Sequence, residues 1–297
     1  MTVADAIREA AARLAAGPHA DKARLDADAL LRHTLGVNWA WVLAHGSDEL
    51  GAESAARFAS LVERRAGGEP VQYILGEAEF YGLPFRVTPD VLIPRPETEH
   101  LVEEAIRLAG EFAQPRIVDV GSGSGAIAVA LAHKLPEARV TSIDISTKAL
   151  EIARGNASRN GVSVRFLEGD LLAPVGRERF EIVVSNPPYV PLADKDSLSV
   201  EVREFEPSLA LFAGPDGLDV YRRLIPAACE RLMPGGALVM EIGFGQAEAV
   251  RSLLAESDFG RVWFIKDLQG IVRVACASVG SDDCGCGDVV RAGGAGD

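Results

Sequence analysis

The residues best equipped for chemistry form two short runs, and the more telling is Asn186-Pro187-Pro188-Tyr189. Neither proline has an N–H, so the backbone there offers carbonyl acceptors and almost no donors, while Asn186 can turn its side-chain oxygen inward. Two acceptors, the Asn186 oxygen and the Pro187 carbonyl, would each take one N–H of a planar NH2 group, with Tyr189 stacked on its flat face. Such a site suits attack by a neutral nitrogen on a sulfonium-bound methyl group. That reaction is an in-line displacement, favoured by alignment and by carbonyl dipoles facing the positive charge that develops on nitrogen. It needs no strong base, because the nitrogen becomes acidic after transfer and loses its proton then. The plainer reading is a rigid Pro-Pro turn after a strand.

The second run is Gly121-Ser122-Gly123-Ser124-Gly125, with Ile117-Val118-Asp119-Val120 before it and Ala126-Ile127-Ala128-Val129-Ala130-Leu131 after it. This is a strand, a Gly-rich turn and a helix. Glycines there permit positive φ and close approach of a ligand, and the helix start supplies free N–H groups to an anion. The run also fits G-x-G-x-x-A, so both a dinucleotide and S-adenosylmethionine are compatible with it. Asp144 closes the next apolar run, where a carboxylate accepts both hydroxyls of an adenosine ribose; its bland alternative is a helix cap, for which Ser146 is better placed. Asp170, in Glu168-Gly169-Asp170, is placed to accept from an adenine amino group or to close an ordinary Asx turn.

The elements that must position these runs follow from periodicity. From about residue 97, helices alternate with β-branched runs, the pattern of a parallel α/β sheet. Strands are predicted at 116–120, 139–145, 163–167, 180–185, 237–242, 261–265 and 271–277. The last two are joined by 266–270 only, too short for a crossover helix, so they should be antiparallel. Residues 2–66 show apolar spacings of three and four, as in Ile7, Ala11, Leu14 and Leu25, Ala29, Leu30. They predict four or five short helices around leucines, Trp39, Trp41 and Phe58. Between the two regions, 79–87 reads as a β-hairpin turning near Gly82. The expected division is a helical domain over 1–76, a hairpin linker over 77–96, an α/β domain over 97–279 and a disordered Gly-rich tail over 280–297.

Composition narrows the partners. With 48% hydrophobic and 25% charged residues the 297-residue chain is an ordinary globular one. Its 43 acidic and 30 basic residues give a net charge of -13, which weighs against affinity drawn from nucleic-acid phosphates. Residues 1–90 hold nine Lys and Arg against thirteen Asp and Glu, so they are not a hidden basic arm. Cys229, Cys276, Cys284 and Cys286 make no disulfide framework, and no metal site is expected. Neither a signal peptide nor a membrane-length apolar run is visible, so a cytoplasmic location is expected.

Several runs together resemble closely the protein-(glutamine-N5) methyltransferases that modify peptide chain release factors. They are the Gly loop, Asn186 to Tyr189, Pro70-Val71-Gln72-Tyr73-Ile74-Leu75-Gly76, Leu92-Ile93-Pro94-Arg95-Pro96-Glu97-Thr98-Glu99, and Leu211-Phe212-Ala213-Gly214-Pro215-Asp216-Gly217-Leu218. The proline-and-acid run is the most telling, and its place before the cofactor strand suggests that it walls the site. The resemblance implies a seven-stranded Rossmann-like methyltransferase sheet with an antiparallel last strand and a helical N-terminal domain that helps dock the release factor. It implies that Gly121, Ser122, Gly123, Ser124, Gly125 and Asp144 bind S-adenosylmethionine, with Asp170, Leu171 and Asn186 also against the cofactor. It further implies that Asn186, Pro187, Pro188 and Tyr189 bind a glutamine within Gly-Gly-Gln, with Asn186, Pro187 and Tyr189 as the catalytic set. At Leu171, relatives often carry an aromatic residue near the adenine; here stacking gives way to aliphatic contact. A monomer with no direct nucleic-acid or membrane partner is expected.

Three rival functions start from the same residues. An adenine-N6 methyltransferase acting on DNA or RNA would use the same amine geometry on a flipped base, but this acidic chain has no evident basic segment to grip a duplex. An NAD-dependent dehydrogenase needs an acid or base near the nicotinamide, and His19, His33, His45, His100 and His133 all lie outside the expected strand-end loops. A non-catalytic binding module would use the helical region only as a tether.

Overall fold

The computed structural model describes residues 1–280. The expected tail beyond Gly280, with Cys284 and Cys286, lies outside the described residues. The N-terminal region folds into α1 (Val3–Ala15), α2 (Ala23–Leu35), α3 (Trp39–Ala44), α4 (Ala52–Ala66) and α5 (Val71–Leu75). Thr2 and Asp5 form a reciprocal capping box that starts α1. Ile7, Leu14, Leu30, Leu31, Phe58 and Val62 make the bundle core.

Two residues expected in that core are outside it. Leu25 is 73% exposed, because α2 buries Ala23, Ala27, Leu30, Leu31 and Thr34, and a residue two positions from Ala23 points about 200° round the helix. Trp39 is 59% exposed at the start of a six-residue helix that buries only Val42. Trp41 is half-buried and stacks on His45, with ring centroids 4.2 Å apart.

The hairpin is β1 (Glu77–Phe80) and β2 (Leu83–Arg86), with Tyr81 and Gly82 both at positive φ in its two-residue turn. Phe80 and Phe85 plug one face of the larger sheet. That sheet contains β3 (Arg116–Val120), β4 (Arg139–Asp144), β5 (Arg165–Glu168), β6 (Phe180–Ser185), β7 (Leu232–Glu241), β8 (Arg261–Lys266) and β9 (Val272–Ser278). Its order is β5-β4-β3-β6-β7-β9-β8, and β9 alone runs against its neighbours, as the short link before it requires. β7 starts five residues before the apolar run that announces it, at Leu232, which pairs with Phe180 ahead of a register shift.

Both faces of the sheet are covered. α6 (Glu99–Ala109) and α7 (Ala126–Lys134) bury Ile117, Ile182, Val184 and Val239, while α10 (Asp219–Arg231) and α11 (Ala247–Ala255) bury Val118, Val183, Leu238 and Met240. Neighbouring residues of one strand therefore enter opposite cores, which is why the strands read as continuous apolar runs. α8 (Thr147–Arg159) follows β4, and the short α9 (Val200–Phe205) lies in the segment after β6. No helix among the described residues is long and apolar enough to cross a membrane.

Strand register places the chemistry. Val120 pairs with Ile143 on one side and Ser185 on the other. Gly121, Asp144 and Asn186, each the next residue, thus emerge side by side at the carboxyl edge, on strands about 4.8 Å apart. The chain order reverses at β3, so this is the switch point where open α/β sheets bind ligands.

Candidate active site

The loop after β3 is shaped almost wholly by nearby backbone. Gly121, Gly123 and Gly125 have φ of 85°, 53° and 80°. The N–H groups of Gly121 and Ser122 both donate to the Ile143 carbonyl at 2.9 Å, and Gly125 N–H donates to the Ser122 carbonyl at 2.8 Å. Gly125 is also packed against α8, since a Cβ there would meet Ala153 Cβ at 3.0 Å and its Cα at 3.2 Å. No side chain caps α7, so its first N–H groups remain available at the loop.

Asp144 accepts the Gly123 N–H on Oδ2 and the Ser146 N–H on Oδ1, both at 2.8 Å. Each oxygen keeps a further lone pair, enough to accept a pair of ribose hydroxyls while staying anchored. Ser146 takes the cap of α8, accepting from the Ala149 N–H at 3.2 Å. The donor-rich loop, the spare acceptors of Asp144 and a buried Ser122 hydroxyl with no partner among the described residues fit an adenosyl cofactor carrying an amino-acid tail.

The loop after β6 is held by distant side chains. Asn186 Nδ2 donates to Thr98 Oγ1 at 3.1 Å, and Thr98 Oγ1 donates to Glu241 Oε2 at 2.5 Å. Among the described residues no group donates to Asn186 Oδ1. The Tyr189 hydroxyl donates to Glu241 Oε1 at 3.2 Å, and its carbonyl accepts from Gln246 Nε2 at 2.9 Å. Burial raises the Glu241 carboxyl above its ordinary range and the Tyr189 phenol above its own. The chain then folds back: Val190 N–H donates to the Leu211 carbonyl and Leu192 N–H to that of Gly214, each at 2.9 Å. Gly217 presses so closely that a Cβ would meet the Tyr189 oxygen at 2.3 Å.

One cleft of about 300 Å³ joins the two loops. Gly121, Ser122, Gly123, Ser124, Asp144, Asp170, Leu171, Asn186, Pro187 and Pro188 line it. Gly125 and Tyr189 do not: Gly125 supports the loop from behind, and the Tyr189 ring is turned toward the core and Glu241. Tyr189, expected to stack on an acceptor, has its hydroxyl held by Glu241. Asp170 lies at the rim, ion-paired with Arg223 and 48% exposed. Leu171 is one of two non-glycine residues at positive φ among the described residues.

The PrmC N-terminal domain family model matches residues 5–76, and the methyltransferase small domain model matches 98–203. A release factor glutamine methyltransferase of Geobacter sulfurreducens is 47% identical over 260 residues, covering 88% of this chain and 91% of the relative. The chain belongs to the release factor glutamine methyltransferases. A second member, from Bordetella pertussis, is 45% identical over 85% of this chain and 93% of its own length. A methyltransferase from Pyrococcus furiosus, at 19% identity, shares the fold with a TM-score of 0.50 over 68% of this chain and 91% of its own.

Several residues shape the cleft without having been singled out in the sequence. Asn156, fully buried on α8, donates to the carbonyls of Ser124 at 2.8 Å and Arg86 at 3.0 Å, tying hairpin and Gly loop together. Arg95 lines the cleft and binds Glu206 at 2.6 Å, holding the Pro207–Ala210 stretch against it. Burial raises the Glu206 carboxyl above its ordinary range, an effect that Arg95 opposes. Arg65, 1% exposed, joins Asp26 of the bundle at 2.6 Å and also pairs with Glu201 of the post-β6 segment. Asp119 beneath the Gly loop accepts from Ser142 Oγ at 2.8 Å on one oxygen and has no partner among the described residues on the other. Complete burial pushes it up to about 7, with Asp144 adding to the effect. An acidic residue inside the apolar run 117–120 was the visible signal; the partners of Arg65, Arg95 and Asn156 had none, because each lies tens of residues away.

Proposed function

We propose that this chain transfers a methyl group from S-adenosylmethionine to the side-chain amide nitrogen, N5, of the glutamine in the Gly-Gly-Gln motif of peptide chain release factors. The observation that supports it most is the Asn186 side chain, anchored through its nitrogen and with Oδ1 left to a cleft shared with the Gly loop. Residues 121–125, Asp144, Asp170 and Leu171 would hold the cofactor, which supplies an electrophilic methyl group. Asn186 Oδ1 and the Pro187 carbonyl would accept the two N–H bonds of the glutamine amide, with Pro188 walling the site and Tyr189 bracing it from behind.

Held this way, the amide nitrogen would be fixed in the cleft with its lone pair free for the methyl group that the cofactor supplies. Methyl transfer would join carbon to this nitrogen with the bonding pair left on the departing sulfur, and the nitrogen would release one proton to solvent. Carbonyl dipoles around the nitrogen stabilise the charge as it develops. Membership in this family gives no support to the adenine-N6 or dehydrogenase readings. In the same reading the helical region, 1–76, docks the release factor, 77–96 links, and 97–279 carries catalysis. The protein works as a cytoplasmic monomer without contacting nucleic acid or membrane.

The test is mass spectrometry of a release factor incubated with the protein and isotope-labelled S-adenosylmethionine. One labelled methyl on the tripeptide glutamine is the expected result. Transfer to DNA adenine and none to the release factor would overturn it.

A further inference from the structure

The hydrogen bonds behind Asn186 run in one chemical direction. A hydroxyl has one proton to give. Thr98 Oγ1 donates that proton to Glu241 Oε2 at 2.5 Å, so only lone pairs remain on the hydroxyl. The Asn186 atom facing it at 3.1 Å must therefore be a donor, the amide nitrogen. The amide oxygen, to which no group among the described residues donates, is left to the cleft that Asn186 lines. The second Glu241 oxygen takes the Tyr189 hydroxyl at 3.2 Å, and the Glu241 carbonyl takes the Tyr221 hydroxyl at 2.9 Å. Thr98, Glu241 and Tyr221 are 4%, 3% and 0% exposed, so the order of donors is shielded from bulk water.

We propose that Thr98, oriented by Glu241, is a positioning residue that sets the polarity of the acceptor site: it keeps the Asn186 oxygen toward the cleft and so selects a side chain that donates two N–H bonds over one that ends in oxygens alone. The proposal rests on the glutamine-methylating reading and deepens it. Glutamine and glutamate have nearly the same shape, so steric fit does not separate them. Two acceptors facing a carboxylate repel it, whereas a reversed Asn186 amide would offer it an N–H. Thr98 lies in the proline-and-acid run before β3, 88 residues from Asn186, and the link gives that run a part in choosing the substrate.

The experiment compares the wild-type protein, Thr98→Val and Thr98→Ser on a release factor carrying Gly-Gly-Gln. The same factor with Gly-Gly-Glu serves as a competitive inhibitor. Valine keeps the shape of threonine without the hydroxyl; serine restores the hydroxyl. Loss of one buried, oriented hydrogen bond predicts that Thr98→Val lowers kcat about 10- to 30-fold. The ratio of the Gly-Gly-Glu inhibition constant to the Gly-Gly-Gln KM should fall about tenfold in Thr98→Val and recover in Thr98→Ser. Affinity for S-adenosylhomocysteine, measured by calorimetry, should change less than about twofold in both, which also shows that each variant is folded. An unchanged inhibitor ratio in Thr98→Val, or a Thr98→Ser protein as impaired as Thr98→Val, overturns the proposal. A wild-type protein that leaves the glutamine unmethylated overturns instead the reading beneath it.

Discussion

The two sides of the cleft are built by different means. The Gly loop after β3 takes its form from residues close in sequence or one strand away: three glycines at positive φ, the Ile143 carbonyl and the Asp144 carboxylate. The loop after β6 has little of its own to hold it. Two prolines remove its N–H groups, and its shape comes from Thr98, Glu241 and Gln246, which lie 88, 52 and 57 residues from their partners. A backbone cradle tolerates change around it, while a side-chain scaffold transmits every loss among its members. Damage to the first side should thus appear as lost cofactor affinity, and damage to the second as lost turnover.

Paired substitutions give the largest effect by which that contrast can be broken. Asn186→Ala removes the amide that orients the acceptor, and kcat should fall roughly a thousandfold or more, the scale seen when a preorganised polar group is deleted. Calorimetry should find affinity for S-adenosylhomocysteine nearly intact. Gly125→Ala should do the reverse, since its Cβ meets Ala153 at 3.0 Å and its φ is 80°. About 2 kcal/mol of strain in the loop should weaken the cofactor about 30-fold, with much of kcat restored at saturating concentration. Equal loss of affinity in both variants would show that the two sides are one scaffold.

The same contrast explains how much of the molecule the sequence discloses. Number and direction of the large-sheet strands follow from apolar runs and from the short link before β9, because periodicity is a local signal. The Gly loop, Asp144 and the Ser146 cap are legible for the same reason. Trp39 and Leu25 mislead because apolar type does not say which face of a short helix finds a partner. Thr98 and Arg95 lie in a run noticed for its composition, yet their partners Asn186 and Glu206 are chosen by tertiary packing. Tyr189 shows the limit most sharply. Its place beside Asn186 suggests contact with substrate, and nothing near it in sequence announces the Glu241 carboxyl that holds its hydroxyl.

Asp119 sharpens the comparison from the cofactor side, as a buried charge beneath a loop otherwise built from backbone. Its carboxyl is raised from an ordinary 3.8 to about 7, chiefly by burial. A raised carboxyl in the folded state binds its proton more tightly than in the unfolded chain, so its stabilising contribution is complete below about pH 4. That contribution is lost as pH climbs toward 7, by up to about 4 kcal/mol. Asp119→Asn lacks the titrating group. In denaturant titrations at pH 4.5 and pH 8, wild-type stability relative to Asp119→Asn should drop by a few kcal/mol as pH rises. A difference that stays flat would mean that water or the loop already satisfies this carboxylate.

Leu171 should give the smallest effect and the most local one. It lines the cleft after Asp170 at a φ of 49°, a strain that the backbone already bears and that an unbranched Cβ does not increase. Replacing it with tryptophan adds a flat face beside the expected adenine, where stacking contributes about 1 kcal/mol beyond area alone. S-adenosylhomocysteine should then bind about fivefold tighter by calorimetry, with kcat on the release factor unchanged, because the substitution touches neither Asn186 nor the residues that orient it. A change in kcat without a change in affinity would place Leu171 on the acceptor side, and the division between a cradle and a scaffold would have to be redrawn through Asp170.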